Sequence, residues 1–331
     1  MRTLHKNRIE RRKILNIGAK KSYAVIDIGT NSTRMLIYRR HEDGTLLRIN
    51  KSVKNTRMGQ DVNKTKKLHK DAIVRNLAAL QDYIEMGKEY HVVDYYIFGT
   101  SAMRDATNTD TFLKKAKETL NLDISVVSGT TEAAFGFLGV AQCFKEPLLI
   151  FDIGGGSTEL IDGHTQKIHK IYSMNIGCVR MTEQFIHHDP PLTQEIHQLN
   201  QFIDQEITKA FIAMNLKKPF DDKRLVGIGG TATSVSTIAQ QLEGYDSEKV
   251  HLSVISKSQL EGILEQLVSL PLEKRKAIVG LEEKRADIII AGICILLKIL
   301  ERTEATEYTV CDYDNLEGAA FRRHFEKKLK N

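Results

Sequence analysis

Residues 148–161 read Leu-Leu-Ile-Phe-Asp-Ile-Gly-Gly-Gly-Ser-Thr-Glu-Leu-Ile, and residues 23–37 read Tyr-Ala-Val-Ile-Asp-Ile-Gly-Thr-Asn-Ser-Thr-Arg-Met-Leu-Ile. Both stretches contain an apolar run, an Asp, a glycine turn with hydroxyl side chains, and a second β-type run, in that order. Asp152 stands 125 positions after Asp27. A repeat at this spacing predicts an internal duplication, with one β-hairpin unit in each of two domains.

The length and composition agree with two domains. A chain of 331 residues is long enough for two hydrophobic cores. Its 41% hydrophobic and 27% charged residues are typical of a globular protein and exclude large-scale disorder. The most apolar window, residues 286–300, is interrupted by Lys298 and is shorter than the roughly 18 residues that span a bilayer. This window predicts a buried helix, and we expect no membrane partner.

The first 21 residues form a basic leader, with eight Lys or Arg residues and one Glu. A basic arm can attract a polyanion, whereas the plainer interpretation is a solvated tail. The leader contains no apolar stretch of signal-peptide length, although its Arg-rich start keeps organelle targeting as an alternative. The four cysteines, Cys143, Cys178, Cys294 and Cys311, lack close metal-type spacing. We therefore expect reduced core thiols in a cytoplasmic protein.

The glycine turns suit phosphate binding. Backbone N–H groups in such turns reach phosphate oxygens with no side chain in the way, and hydroxyl groups add donors. Asp27 and Asp152 stand at strand ends, where they can hold Mg²⁺ or its waters. A third turn at residues 229–233 precedes a predicted helix. A single glycine turn occurs in many tight bends without a ligand. Three such turns, each following a predicted strand, predict a phosphate site.

Five segments carry a family resemblance, at residues 24–37, 99–108, 128–133, 151–159 and 229–234. Their combination and order resemble the exopolyphosphatase and guanosine pentaphosphate phosphatase family (Ppx/GppA), in its short two-domain form. The resemblance covers the chain from about residue 23 to residue 318. It implies an α/β fold with two duplicated ribonuclease H-like domains of the sugar kinase, Hsp70 and actin superfamily and a cleft between them.

The domain boundaries follow from the duplication and the resemblance. We expect a leader at 1–21, domain I at 22–143, domain II at 144–302, and a C-terminal segment at 303–331 that packs back on domain I. A homodimer agrees with the resemblance. No specific nucleic-acid partner is expected.

The resemblance also implies roles for residues at the matching positions. Glu132, the Glu of the S-G-x-x-E-A segment, is the implied general base. Asp152 and Glu159 are the other implied catalytic residues, and both join Asp27 as metal ligands. The predicted phosphate-binding residues are Gly29, Thr30, Asn31, Ser32, Arg34, Arg104, Gly154, Gly155, Gly156, Ser157, Thr158, Gly229, Gly230 and Thr231.

Simpler interpretations exist for single residues. A Glu in a first helical turn commonly stabilises the helix dipole, which would explain Glu132 without catalysis. Arg104 could pair with Asp105 or Asp110. Two positions depart from the family pattern: Thr131 replaces a second acidic residue, and Leu316 replaces an Arg in the segment at 314–318. These departures put the environment of the base and some substrate contacts in question.

The implied function is a Mg²⁺-dependent exopolyphosphatase that releases terminal orthophosphate from polyphosphate and, as a second substrate, from guanosine pentaphosphate. Guanosine pentaphosphate as the main substrate is an alternative, because both molecules present the same terminal anhydride. A kinase of the same superfamily, a non-catalytic sensor of phosphate-rich nucleotides and an actin-like structural protein are further hypotheses, because one fold serves several functions.

Overall fold

The computed structural model describes residues 21–41, 45–216, 220 and 222–328. The basic leader predicted at 1–21 lies outside these residues except for Lys21. The described chain forms two mixed β-sheets with helices packed on them. None of the helices in the described ranges is long and apolar enough to cross a membrane.

The first sheet has five strands: β1 Ser22–Ile28, β2 Thr33–Arg40, β3 Leu46–Lys54, β4 Val92–Gly99 and β5 Ile124–Val126. Their spatial order is β3-β2-β1-β4-β5, in which β1, β2 and β3 are antiparallel and β4 and β5 run parallel to β1. This is the ribonuclease H-like order. Four helices follow the hairpin: α1 Val62–Thr65, α2 Lys70–Glu89, α3 Ser101–Asp105 and α4 Thr109–Leu120. The core strand β1 is apolar almost throughout because both of its faces are covered.

The second sheet repeats the pattern. Its strands are β6 Leu148–Ile153, β7 Thr158–His164, β8 Lys167–Met174, β9 Arg224–Ile228, β10 Val254–Ser256 and β11 Glu307–Val310. The order is β10-β11-β9-β6-β7-β8, so the first sheet's arrangement recurs with one added antiparallel edge strand, β10. The other helices are α5 Gly129–Val140, α6 Cys178–Phe185, α7 Thr193–Ala213, α8 Gly229–Ala239, α9 Ser247–Val250, α10 Lys257–Ser269, α11 Leu272–Arg275, α12 Ile289–Thr303 and α13 Asn315–Lys328. Helix α12, predicted from the apolar window, is buried.

The two hairpins have the same internal geometry. Asp27 pairs across β1 and β2 with Arg34, and Asp152 pairs across β6 and β7 with Glu159. The turn closes in each case by a hydrogen bond from a glycine N–H to a serine carbonyl, at 2.9 Å in residues 29–32 and 3.0 Å in residues 154–157. The predicted α/β fold with duplicated domains is therefore confirmed.

Helices α5 and α13 pack closely against each other, and α13 also contacts β1 and β2. Small residues allow the approach, since a Cβ on Gly318 would lie 1.6 Å from the carbonyl oxygen of Phe135. Leu316 is fully buried in the same core as Phe135. Strand β11 lies in the second sheet, so the segment predicted at 303–331 adds a strand to that sheet while its helix α13 packs on the first sheet. The domain boundaries themselves stay a prediction.

We expect Gly318→Ala to lower the free energy of unfolding by about 3 kcal/mol, because the added methyl group would overlap the backbone of α5. The matched control is Gly262→Ala in α10, where a Cβ meets nothing within 4 Å. That change should raise the free energy of unfolding by about 0.5 to 1 kcal/mol, since alanine favours the helix. Urea denaturation of both variants measures the difference, and equal effects would contradict the close helix packing.

Candidate active site

A cavity of about 830 Å³ lies between the two sheets and is lined by all three glycine turns. Most of the residues predicted from sequence line it. They are Asp27, Gly29, Thr30, Asn31, Ser32, Arg34, Glu132, Asp152, Gly154, Gly155, Gly156, Ser157, Gly229 and Gly230. The fold thus brings residues more than 200 positions apart to one cleft between the domains.

The two hairpin turns face each other directly. A Cβ on Gly155 would lie 2.8 Å from the Cβ of Thr30, and a Cβ on Gly156 would lie 3.0 Å from the Oγ1 of Thr30. Residues with a side chain would therefore push the turns apart. The glycines are required by this close approach, which keeps the backbone of both turns at the cavity.

Asp27 is buried beside Arg34 at the end of β1. Arg34 Nε donates to Asp27 Oδ2 at 3.2 Å, and its Nη1 donates to Asp314 Oδ2 at 2.6 Å. The other oxygen of Asp27, Oδ1, is buried and has no hydrogen-bond partner within the described ranges. Burial raises the pKa of Asp27, although Arg34 opposes this effect. A buried carboxylate oxygen without a partner is a suitable ligand for a hard cation.

Asp152 occupies the equivalent position at the end of β6. Its Oδ2 accepts a hydrogen bond from Asn315 Nδ2 at 3.0 Å. The third glycine turn packs on the other oxygen, since a Cβ on Gly229 would lie 2.3 Å from Asp152 Oδ1 and the φ angle of Gly229 is 80°. Burial raises the pKa of Asp152 to about 6, and Arg34 opposes this rise. Asp27 and Asp152 are therefore two buried carboxyl groups whose ionised forms are disfavoured by burial.

Glu132 lies in the first turn of α5, which is capped by a hydrogen bond from the N–H of Thr131 to Ser128 Oγ at 3.1 Å. Arg104 Nη1 donates to Glu132 Oε2 at 2.7 Å and to the carbonyl of Val127 at 3.0 Å. Burial raises the pKa of Glu132 to about 7, with Arg104 opposing the rise. A carboxylate with this pKa can accept a proton from water near neutral pH.

Arg104 pairs with neither Asp105 nor Asp110 within the described structure. The carboxylate that it contacts is that of Glu132, and Asp105 instead contacts Arg180. Because Arg104 does not line the cavity, the geometry favours a role in holding Glu132 over direct phosphate contact.

Three other predicted residues do not line the cavity. Glu159 is 1% exposed and accepts a hydrogen bond from Ser173 Oγ at 2.7 Å. Burial and then the neighbouring Glu132 raise the pKa of Glu159, so the two carboxyl groups lie close to each other. The hydroxyls of Thr158 and Thr231 donate to backbone carbonyls at 2.7 Å and 3.3 Å. Both hydroxyls thus hold the backbone of the site, and the phosphate-binding roles of Thr158 and Thr231 stay predictions.

The sequence reasoning missed a charged wall of the cleft. Lys51 on β3 donates to the carbonyl of Asp312 at 2.6 Å and lies 3.2 Å from Asp314 Oδ2. Arg48, on the same strand, contacts Asp312 and Glu317. Although burial alone would raise the pKa of Asp314, Arg34 and Lys51 lower it. No motif marks these residues, because the contacts join positions more than 260 residues apart.

Comparisons with known proteins agree with this geometry. The Ppx/GppA phosphatase family matches residues 36–324. The chain is 38% identical over 89% of its length to a bifunctional 3-dehydroquinate synthase/phosphatase of Fusobacterium nucleatum, of which it spans 46%. It is 31% identical over 90% of its length to exopolyphosphatase 2 of Mycobacterium tuberculosis (strain ATCC 25618 / H37Rv), of which it covers 97%.

A solved structure supports the same conclusion. The Ppx/GppA family member of Aquifex aeolicus superposes with a TM-score of 0.77 at 31% identity, covering 93% of this chain and 98% of that chain. The likeness thus extends over both sheets and the cleft between them. This chain belongs to the Ppx/GppA phosphatase family.

Proposed function

We propose that this protein is a Mg²⁺-dependent phosphohydrolase that releases terminal orthophosphate from inorganic polyphosphate. The observation that carries the proposal is the position of Glu132, a buried carboxylate that lines the cavity together with the turns following Asp27 and Asp152. Membership of the family supports hydrolysis of a phosphoanhydride, and the exopolyphosphatase relative supports polyphosphate as the substrate.

The donor set fits Mg²⁺. Asp27 offers a buried oxygen with no partner in the described ranges, and Asp152 is buried close by on the equivalent strand. Oxygen ligands of this kind suit Mg²⁺, which would neutralise charge on the phosphate oxygens when bound. A bound cation would also offset the negative charge of the cleft, to which Arg34 and Lys51 already provide a partial balance.

The residues of the chain can then perform hydrolysis in one displacement. Glu132 orients a water molecule toward the terminal phosphorus and accepts its proton. Arg104 holds the carboxylate of Glu132 in place. Phosphoryl transfer has a loose transition state, so positioning and charge neutralisation dominate, and backbone N–H groups of the glycine turns would donate to the phosphate oxygens. No covalent enzyme intermediate is needed.

We expect kcat/KM to rise with pH and to level off above the pKa of Glu132, because only the ionised carboxylate can accept a proton. That pKa is about 7 without a cation, and bound Mg²⁺ would lower it. The positive charge of Arg104 stabilises the ionised form of Glu132 and so lowers its pKa. In Arg104→Gln this charge is absent, so the midpoint should move to higher pH. Arg224→Gln, which removes an Arg paired with Glu146 away from the cavity, should leave the midpoint unchanged. If Arg104→Gln and Arg224→Gln have the same midpoint of the pH profile at the same Mg²⁺ concentration, Arg104 does not set the pKa of Glu132.

The proposal is tested by incubating the full chain with Mg²⁺ and either long-chain polyphosphate or guanosine pentaphosphate. We expect orthophosphate to accumulate while polyphosphate shortens gradually from its ends. Faster release from guanosine pentaphosphate would make that nucleotide the main substrate. No release from either substrate would favour a sensor or a kinase and would overturn the proposal.

A further inference from the structure

Two cysteines from distant parts of the chain meet outside the cavity. Cys143 follows the C-terminal end of α5, and Cys311 directly follows β11. The Sγ of Cys311 donates to the Sγ of Cys143 across 3.9 Å. Cys311 is buried, whereas Cys143 is half-buried. Sequence spacing does not reveal this pair, because 168 positions separate its members.

His251 completes the cluster, and one ligand atom from each of the three residues lies within 4.8 Å of the others. His251 Nδ1 accepts a hydrogen bond from the N–H of Asp312 at 3.2 Å. In the neutral ring the proton therefore sits on Nε2, from which it can be donated to Cys143. A metal-binding histidine usually donates its second N–H to an oxygen, but here the group facing Nδ1 is itself a donor. Because Nε2 carries the ring proton, it can donate to a thiolate but has no free lone pair for a metal ion.

The surroundings make the two thiols unequal. The hydrogen bond from Cys311, and then that from His251, lower the pKa of Cys143 to about 6 against the effect of burial. Burial raises the pKa of Cys311. Arg48 also lowers the pKa of Cys143, whereas Glu317 raises the pKa of Cys311 and a hydrogen bond from the Tyr313 backbone lowers it. These opposite shifts favour a thiolate at Cys143 and a protonated thiol at Cys311, and a lowered thiol pKa increases cysteine reactivity.

We propose that Cys143 and Cys311 form a peroxide-reactive dithiol that closes to an intramolecular disulfide. The Cys143 thiolate attacks one oxygen of a hydroperoxide, the O–O bond breaks, and the leaving oxygen takes a proton, giving a sulfenic acid on Cys143. The sulfur of Cys311 then attacks the sulfenic sulfur. The S–S bond forms, the S–O bond breaks, and hydroxide leaves with the Cys311 proton as water. With hydrogen peroxide, two thiols are oxidised, one peroxide is reduced, and two waters form.

The disulfide would link helix α5 to the segment that follows β11. Helix α5 carries Glu132, and the segment after β11 carries Asp314 and Asn315, which contact Arg34 and Asp152. The inference uses none of the proposed hydrolase chemistry, so it can fail or succeed independently.

The direct test treats the reduced full chain with equimolar hydrogen peroxide, blocks free thiols, and maps the digest by mass spectrometry. We expect a peptide linked through Cys143 and Cys311, with Cys178 and Cys294 still reduced because burial raises their pKa. In Cys311→Ser, Cys143 should stop at the sulfenic acid and be trapped by dimedone. Oxidation of Cys143 no faster than that of Cys294, or absence of the linked peptide, would overturn the proposal.

A second measurement does not depend on cysteine substitutions. We expect the alkylation rate of Cys143 to level off above about pH 6 in the wild type. In His251→Phe, which keeps a ring against Tyr313 but removes the donor, the plateau should shift to higher pH. An unchanged profile would overturn the role of His251. Stoichiometric binding of Co²⁺ with a thiolate charge-transfer band would show a metal site and would overturn the dithiol proposal.

Discussion

Glu132→Gln lowers kcat for orthophosphate release by about 10³-fold, within the range that a general base contributes. Glutamine keeps the size of the side chain and an oxygen that can accept the hydrogen bond from Arg104, but it cannot accept a proton from water. KM should therefore change little. Steady-state release of orthophosphate from long-chain polyphosphate with Mg²⁺ measures both constants.

The matched control for this variant is Glu243→Gln. Glu243 also lines the cavity, but it is exposed, and no hydrogen bond or ion pair in the described ranges joins it to Arg104 or to the hairpin turns. We expect its kcat to stay within about twofold of the wild type, as for an ordinary surface substitution. Equal losses in both variants would mean that charge in the cleft matters and that Glu132 has no special role.

Removal of divalent cations should lower the rate by more than about 10²-fold, because the buried carboxylates would then repel the polyanion. Chelation followed by addition of Mg²⁺ measures this, and full recovery is expected. Asp27→Asn should raise the Mg²⁺ concentration needed for half of the maximal rate, since it removes a charged ligand oxygen that is buried without a partner in the described ranges.

Asp82→Asn is the control for the metal dependence. Asp82 is a solvent-exposed carboxylate paired with Lys54 on the surface of α2, so its loss should leave the Mg²⁺ requirement unchanged. Full activity of the wild type after chelation would contradict the proposed cation. An Asp27→Asn variant with the wild-type requirement would place the cation elsewhere.

The fold was predictable because a duplication leaves a visible trace in the sequence. The repeated order around Asp27 and Asp152 predicts two hairpins, and the observed pairs with Arg34 and Glu159 have the same register. The position of Glu132 in a first helical turn also followed from its motif. Local patterns predicted these features because each depends on residues that are close in the chain.

Long-range contacts were not predictable in the same way. The contact of Lys51 with Asp314 in the charged wall joins strand β3 to a C-terminal segment, and the two meet only in three dimensions. The pleat of a strand also decides which hydroxyl groups reach the cavity. It directs the hydroxyl of Thr158 to the carbonyl oxygen of Ile176. The Cys143 and Cys311 pair was missed for the same reason as the charged wall.

The most direct test of the account is single-turnover hydrolysis of polyphosphate with Mg²⁺ in water labelled with ¹⁸O. Attack of water on the terminal phosphorus, assisted by Glu132, predicts one labelled oxygen in each released orthophosphate and none in the shortened chain. Unlabelled orthophosphate, label in the shortened chain, or the same rate for Glu132→Gln would contradict the proposed mechanism.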